Sequence, residues 1–254
     1  MDTGIYSSAA AMYAEFNTEN NISDNLSNLQ TPGFKEKSSV LQDFTRVLSS
    51  TAGDLNGVAG AETTVGNFGY APTVKDYGLN LAQGAPKYTG SPLDLMVVGN
   101  GFFRVQAGNQ TLLTRNGNFH RAANGQLQTV EGYPLLDAGG AAVTVPAGTV
   151  TFDRAGNLIG NGKPGIRVGL ANVAAGQPLT DVGNGYFSGP STALAANAPN
   201  TAVVQGYLET SNVDMTTQTT AMLSAQRAYQ ADAQMLQMQD NTMGLAVTDL
   251  GKVG

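Results

Sequence analysis

The chain has no cysteine and no tryptophan, and its only histidine is His120. Without thiols there is no disulfide, no thiolate metal site and no cysteine nucleophile. One imidazole cannot build a histidine cage or a triad that needs a second. Charge is scarce too: 13% of residues are Asp, Glu, Lys or Arg, and 13 basic side chains against 19 acidic ones leave a formal charge of -6. No run of Lys or Arg could neutralise several phosphates in a row, which argues against nucleic acid as a partner. Long apolar runs are also missing. No window reaches the roughly 20 apolar residues of a membrane span, so membrane insertion is not expected. The opening from Met1 to Met12 lacks both the basic region and the apolar core of a cleaved secretory leader.

What is abundant is glycine, 32 residues in 254, alongside 41% hydrophobic residues. So many glycines imply tight turns and close backbone approach, and hence a large all-β portion. The two ends read differently. Ile5, Ala9, Met12 and Phe16 recur at helical spacing, Ile22, Leu26 and Leu29 continue with a shifted phase, and Pro32-Gly33 closes the pattern. That predicts a helix from Ile5 to Leu29, ending near Asn28 to Gln30. Near the other end Met215, Met222, Tyr229, Leu236, Met243 and Leu250 are spaced by seven, a narrow apolar seam along a helix from Val213 to Ala246. At 1.5 Å per residue this helix is about 50 Å long, more than the N-terminal helix covers.

Residues 49 to 72, rich in Ser, Thr, Gly and Ala, read as an extended or partly disordered excursion. From Asp76 to Gly206 short β-branched and aromatic runs are cut by Gly, Asn and Pro. Leu93 to Val98, Gly99-Asn100-Gly101 and Phe102 to Gln106 read as a hairpin. Further strands are predicted at Leu112 to Thr114, Leu127 to Thr129, Val143 to Val145, Val150 to Asp153, Leu158 to Ile159, Ile166 to Ala171 and Val203 to Tyr207. Turns fall at Asn124-Gly125, Gly139-Gly140 and Gly156-Asn157. The predicted fold class is α+β, mainly β. Discontinuous N- and C-terminal helices form a coiled-coil-like helical domain (residues 1–35 and 208–254), joined by an extended segment (36–75) to a central antiparallel β domain of sandwich or barrel type (76–207).

Four stretches carry a family resemblance: Asn21 to Lys35 (NISDNLSNLQTPGFK), Ser91 to Val105 (SPLDLMVVGNGFFRV), Thr114 to Leu127 (TRNGNFHRAANGQL), and Leu208 to Met215 (LETSNVDM) with Ser224 to Ala231 (SAQRAYQA). In this order they resemble the axial proteins of the bacterial flagellum, and among them the basal-body rod proteins. The resemblance implies no catalytic activity, terminal helices packed in the inner wall of a tube, a β domain facing outward, and transmission of torque for motility. It also implies partnership with copies of the chain, with other rod and hook proteins and with the flagellar export apparatus, and a place in the periplasm-spanning rod reached without a cleaved signal peptide. The chain's length favours rod over hook. The opening Met1-Asp2-x-x-Ile5-Tyr6 resembles the proximal rod protein, whereas the Gly-rich excursion resembles the distal one, which is favoured.

The expected assembly interface comprises Ile5, Met12, Phe16, Asn21, Asn25, Leu26, Asn28, Met222, Arg227, Tyr229, Leu236 and Met243. Asn21, Asn25 and Asn28 would form a polar ladder toward a neighbouring subunit, or else simply fray the helix end. Arg227 would pair with a neighbour's carboxylate or carbonyls, or else lie on a solvated face. The seam could equally be ordinary core, but its length and its adaptable methionines favour assembly. No catalytic residue, cofactor or metal is expected. His120 reads as a solvated loop residue, Gly99-x-Gly101 lacks the following helix of a phosphate loop, and Asp94, Asp137 and Asp153 are isolated acids. Two other readings are a secreted adhesin or binding module with a helical stalk and a β-domain ligand site, and a wall hydrolase.

Overall fold

A computed structural model describes residues 2–42, 73–146, 148–160, 163–173, 179–189 and 201–250. The excursion predicted over residues 49–72 lies outside them. In chain order the elements are α1 (Asp2–Ser27), β1 (Lys37–Gln42), β2 (Thr73–Leu79), β3 (Pro86–Tyr88), β4 (Leu95–Val98), β5 (Gly101–Ala107), β6 (Gln110–Thr114), β7 (His120–Arg121), β8 (Leu127–Gln128), β9 (Val150–Phe152), β10 (Asn157–Gly160), β11 (Lys163–Arg167), β12 (Leu170–Asn172), β13 (Thr180–Gly183), β14 (Tyr186–Ser188), β15 (Ala202–Gln205), β16 (Tyr207–Glu209) and α2 (Met215–Leu250). Two compact units result. The helical unit holds α1 as far as Asp24, the β1–β2 pair as far as Gly78 and α2 from Thr216; the β unit holds Asn25–Glu36 and Leu79–Met215.

The β unit is built on an antiparallel sheet of order β12-β5-β6-β14-β13, with a three-stranded sheet β11-β10-β9 and the pairs β15-β4, β16-β3 and β7-β8. Its sequence explains why the central strands do not alternate apolar with polar: Phe102 and Phe103 are adjacent and both buried, as are Leu112 and Leu113. A sheet covered on both faces buries both members of such a pair. Phe103, Val105 and Leu112 join the main core with Phe119, Leu127, Leu135 and Val203. Phe102, Leu113 and Phe187 build a second cluster with Ala171 and Val173. Ring packing ties each cluster, Phe103 edge-on to Phe119 at 5.2 Å and Phe102 to Phe187 at 6.0 Å.

Several sequence expectations need correction. Among the described residues no sheet closes on itself, so the barrel alternative fails. The predicted hairpin around Gly99-Asn100-Gly101 does not form. β4 pairs with β15 while β5 pairs with β6 and β12, so the turn carries the chain from one sheet to another. Side chains from elsewhere hold that corner: Gln83 Nε2 donates to the Val97 carbonyl at 3.0 Å and Arg115 Nη2 to the Gly99 carbonyl at 2.6 Å. Ile166 to Ala171 is not one strand but β11 and β12, because the Val168 amide turns to Gly156 O and the Gly169 amide to Leu136 O. Val203 to Tyr207 likewise breaks at Gly206, whose φ is +79°. Val143 and Val145 are buried, yet their neighbours form only isolated bridges. The three predicted turns do hold glycines at positive φ, namely Gly125, Gly140 and Gly156.

In the helical unit both helices form. α1 ends at Ser27, where Thr31 N–H and its hydroxyl donate to the carbonyl and side chain of Asn28. Within α1 the most protected positions are Ser8, Ala14, Asn21, Ile22 and Asn25, which at 3.6 residues per turn fall on one side of the helix. The face predicted from Ile5, Ala9, Met12 and Phe16 is not that one: Ala9 is exposed and Phe16 is 51% exposed. α2 has 36 residues, about 54 Å at 1.5 Å each. No described helix is long and apolar enough to cross a membrane.

Candidate functional site

Two features stand out, and the first was not legible in the sequence. Lys35, Arg115 and Glu209 are all buried in the β unit and bonded to one another. Lys35 Nζ lies 2.6 Å from Glu209 Oε1 and 2.7 Å from the Ala82 carbonyl. Arg115 Nη1 lies 3.2 Å from Glu209 Oε2, and the Gly84 amide donates to Oε1 at 2.9 Å. The guanidinium carbon stands 4.7 Å from the centre of the Phe102 ring, which links the cluster to the second apolar core. Burial pushes the pKa of both cations down, because the charged form loses its water. The hydrogen bonds and charge of Glu209 pull them back up, while the Arg115 charge lowers Lys35 further.

The cluster joins three distant stretches: the turn after α1, the end of β6 and the end of β16. Glycines permit the approach. Gly33 sits at φ +69° and a Cβ there would lie 2.3 Å from the Arg115 carbonyl carbon, while its amide donates to Glu209 O at 2.8 Å. A Cβ on Gly84 would lie 1.9 Å from Thr210 O. Beside the cluster, Asn212 Oδ1 accepts from the Glu36 amide at 2.8 Å, and Asn212 Nδ2 donates to Asn80 O and Ala82 O at 2.8 and 3.0 Å. The chain leaving α1 and the chain approaching α2 are therefore sutured side by side. We call this arrangement the clamp.

The second feature is the surface of the helices. Of the seam residues, Met215 is exposed and Tyr229 is 37% exposed, while Met222, Leu236 and Met243 are half-buried. Leu223, Met235, Met238, Leu245 and Val247 are exposed as well, the last at 71%. On α1, Tyr13 joins Phe16 as an exposed aromatic, whereas Ile5, Met12 and Leu26 are half-buried. Asn21 and Asn25 are buried and Asn28 is half-buried; Asn21 Nδ2 has no hydrogen-bond partner among the described residues. Arg227 is exposed. Glu15 is half-buried, and burial first, then the charges of Asp232 and Glu19, raise its carboxyl above the usual range.

Among the described residues no side-chain arrangement resembles a reaction centre. His120 is exposed on β7, Asp94 is buried, and Asp137 and Asp153 serve local structure. Asp137 accepts from the Ala141 amide, and hydrogen bonds from Asn157 hold the Asp153 carboxyl below its ordinary range. Among the described residues no group of three or more acidic or histidine side chains could hold a metal.

Comparison with known proteins converges on one family. Residues 96–160 match the flagellar hook protein FlgE/F/G D1 domain, and residues 204–248 match the flagellar basal body rod FlgEFG protein C-terminal family. Arg115 and Glu209 fall in these segments and Lys35 outside them. The chain is 30% identical over 245 residues to the flagellar basal-body rod protein FlgG of Bacillus subtilis, covering 87% of this chain and 89% of that one. It is 36% identical over 187 residues to FlgF of Caulobacter vibrioides, covering 68% and 72%, and 27% identical over 254 residues to FlgF of Mesorhizobium japonicum, covering 99% of both. The near full-length similarity decides the matter: the chain belongs to the flagellar basal-body rod protein family, whose members are structural, non-enzymatic subunits.

Proposed function

We propose that the chain is a rod subunit of the distal type that assembles with copies of itself, and with other rod and hook proteins, through α1 and α2, and so transmits torque. The observation that carries this reading is the uncovered apolar surface of α2, from Met215 to Val247. Fully burying a large apolar side chain contributes about 1.5–3 kcal/mol, so the exposed Leu, Met and Val side chains offer on the order of 10 kcal/mol. Association costs about 4–15 kcal/mol. One such contact roughly balances that cost, which suits a tube where each subunit touches several others. On this reading Ile5, Met12, Phe16, Asn21, Asn25, Leu26 and Asn28 on the α1 side, and Met222, Arg227, Tyr229, Leu236 and Met243 on α2, face or position neighbours. The domain division is then 1–35 and 208–254 for assembly, 36–75 as connection and 76–207 as outer β domain. The chain reaches the basal body through the flagellar export apparatus.

Leu236→Asp tests the assembly role, because a carboxylate at a subunit contact is buried without a partner. We expect the β unit to keep its circular dichroism and melting behaviour while filaments disappear from electron micrographs. Filaments formed as readily as by the parent chain would refute the role of α2. The distal assignment is supported by the Gly-rich stretch. Expression in a bacterium lacking its distal rod protein should restore swimming on soft agar, and expression in one lacking the proximal protein should not; the reverse pattern reverses the assignment.

A further inference from the structure

The whole net charge of the chain is carried by its two helices. α1 holds Asp2, Glu15, Glu19 and Asp24 with no Lys or Arg, and α2 holds Asp232, Asp240 and Asp249 against Arg227 alone. Seven acids and one base amount to -6, the formal charge of the entire chain, so the residues outside the helices balance at twelve of each sign. Asp24 is paired with Lys37. Glu15, Glu19, Asp232 and Asp240 form no ion pair among the described residues, and neither does the exposed Arg227.

The surface that would meet a second copy is thus apolar and acidic together. Bringing copies into contact places like charges within the Debye length, about 10 Å at 0.1 M salt, where they repel. Within one chain burial first, and then the charges of Asp232 and Glu19, raise the Glu15 carboxyl. The only opposite charge available on either helix is Arg227, whose planar fork suits a carboxylate.

We propose that this helix-borne charge sets the threshold for assembly: the acids of α1 and α2 hold copies of the chain apart until salt screens them, and Arg227 offsets them by taking a carboxylate of a second copy. The proposal rests on the reading of α1 and α2 as assembly elements and adds how that contact is regulated. A nonpolar ribbon alone would associate without a charge-dependent threshold.

The test is sedimentation of the full chain at neutral pH across NaCl from ~20 to ~500 mM, a range over which the Debye length shrinks several-fold. The concentration needed for half-assembly is expected to fall about ten-fold as salt rises. Glu15→Gln with Asp232→Asn should assemble at low salt and show a flatter salt response, Arg227→Gln should need more salt, and Arg227→Lys should stay closer to the parent than Arg227→Gln. All should converge at high salt. A salt response unchanged by neutralising Glu15 and Asp232, or charge variants that differ equally at high and low salt, would overturn the proposal and leave the helix reading intact. A parent chain monomeric at every salt, or Leu236→Asp assembling like the parent at high salt, would overturn the helix reading itself.

Discussion

Glu209→Ala is expected to destabilise the β unit by about 3–5 kcal/mol, the largest effect of any single substitution in the clamp. The change leaves Lys35 and Arg115 both fully buried without the carboxylate that faces them at 2.6 and 3.2 Å. The Gly84 amide also loses its acceptor. Breaking a buried pair costs more than the pair is worth, because the surviving charge stays desolvated. The comparison that exposes this is a triple replacement, Lys35→Met with Arg115→Leu and Glu209→Leu, which removes all three charges and should destabilise less than Glu209→Ala alone. Urea unfolding followed by tyrosine fluorescence measures both. A Glu209→Ala chain within about 1 kcal/mol of the parent would show that the cluster does not hold the two chain ends.

Gly33→Ala is expected to cost roughly 2–5 kcal/mol at the same place for a different reason. A left-handed backbone costs a non-glycine residue about 1–2 kcal/mol. Here the added methyl also collides with the backbone of Arg115 and Asn116, at 2.3–2.5 Å, and forcing atoms into a packed region costs about 1–3 kcal/mol more. Gly108→Ala separates the two contributions, since Gly108 has φ +59° but nothing within 4 Å of its Cβ position. Equal losses for the two variants, read by the same unfolding assay, would mean that the close approach at Gly33 is unimportant.

Both predictions concern a feature whose members all stood in the stretches that carried the family resemblance: Lys35 in the first, Arg115 in the third, Glu209 in the fourth. What the sequence withheld was their convergence. Lys35 and Glu209 are 174 residues apart, and no periodicity relates residues so distant. A charged residue beside Phe34 or Leu208 looks the same whether its head reaches water or a buried carboxylate.

The helices were legible because their pattern is local: the repeat of seven from Met215 to Leu250 and the Pro32-Gly33 stop depend only on neighbours in sequence. Strand positions were legible too, with the turns at Gly125, Gly140 and Gly156. Strand partners were not. The sequence by itself determined that two long helices flank a glycine-punctuated β region and that α2 carries an apolar ribbon, because side-chain periodicity and turn chemistry act within a few residues. Only the tertiary structure decided that β4 leaves β5 for β15, that Phe16 points away from the protected face of α1, and that three buried charges fasten the chain where it leaves α1 and approaches α2. Those outcomes follow from which distant surfaces exclude water together and satisfy one another's polar groups, a condition set by the whole fold.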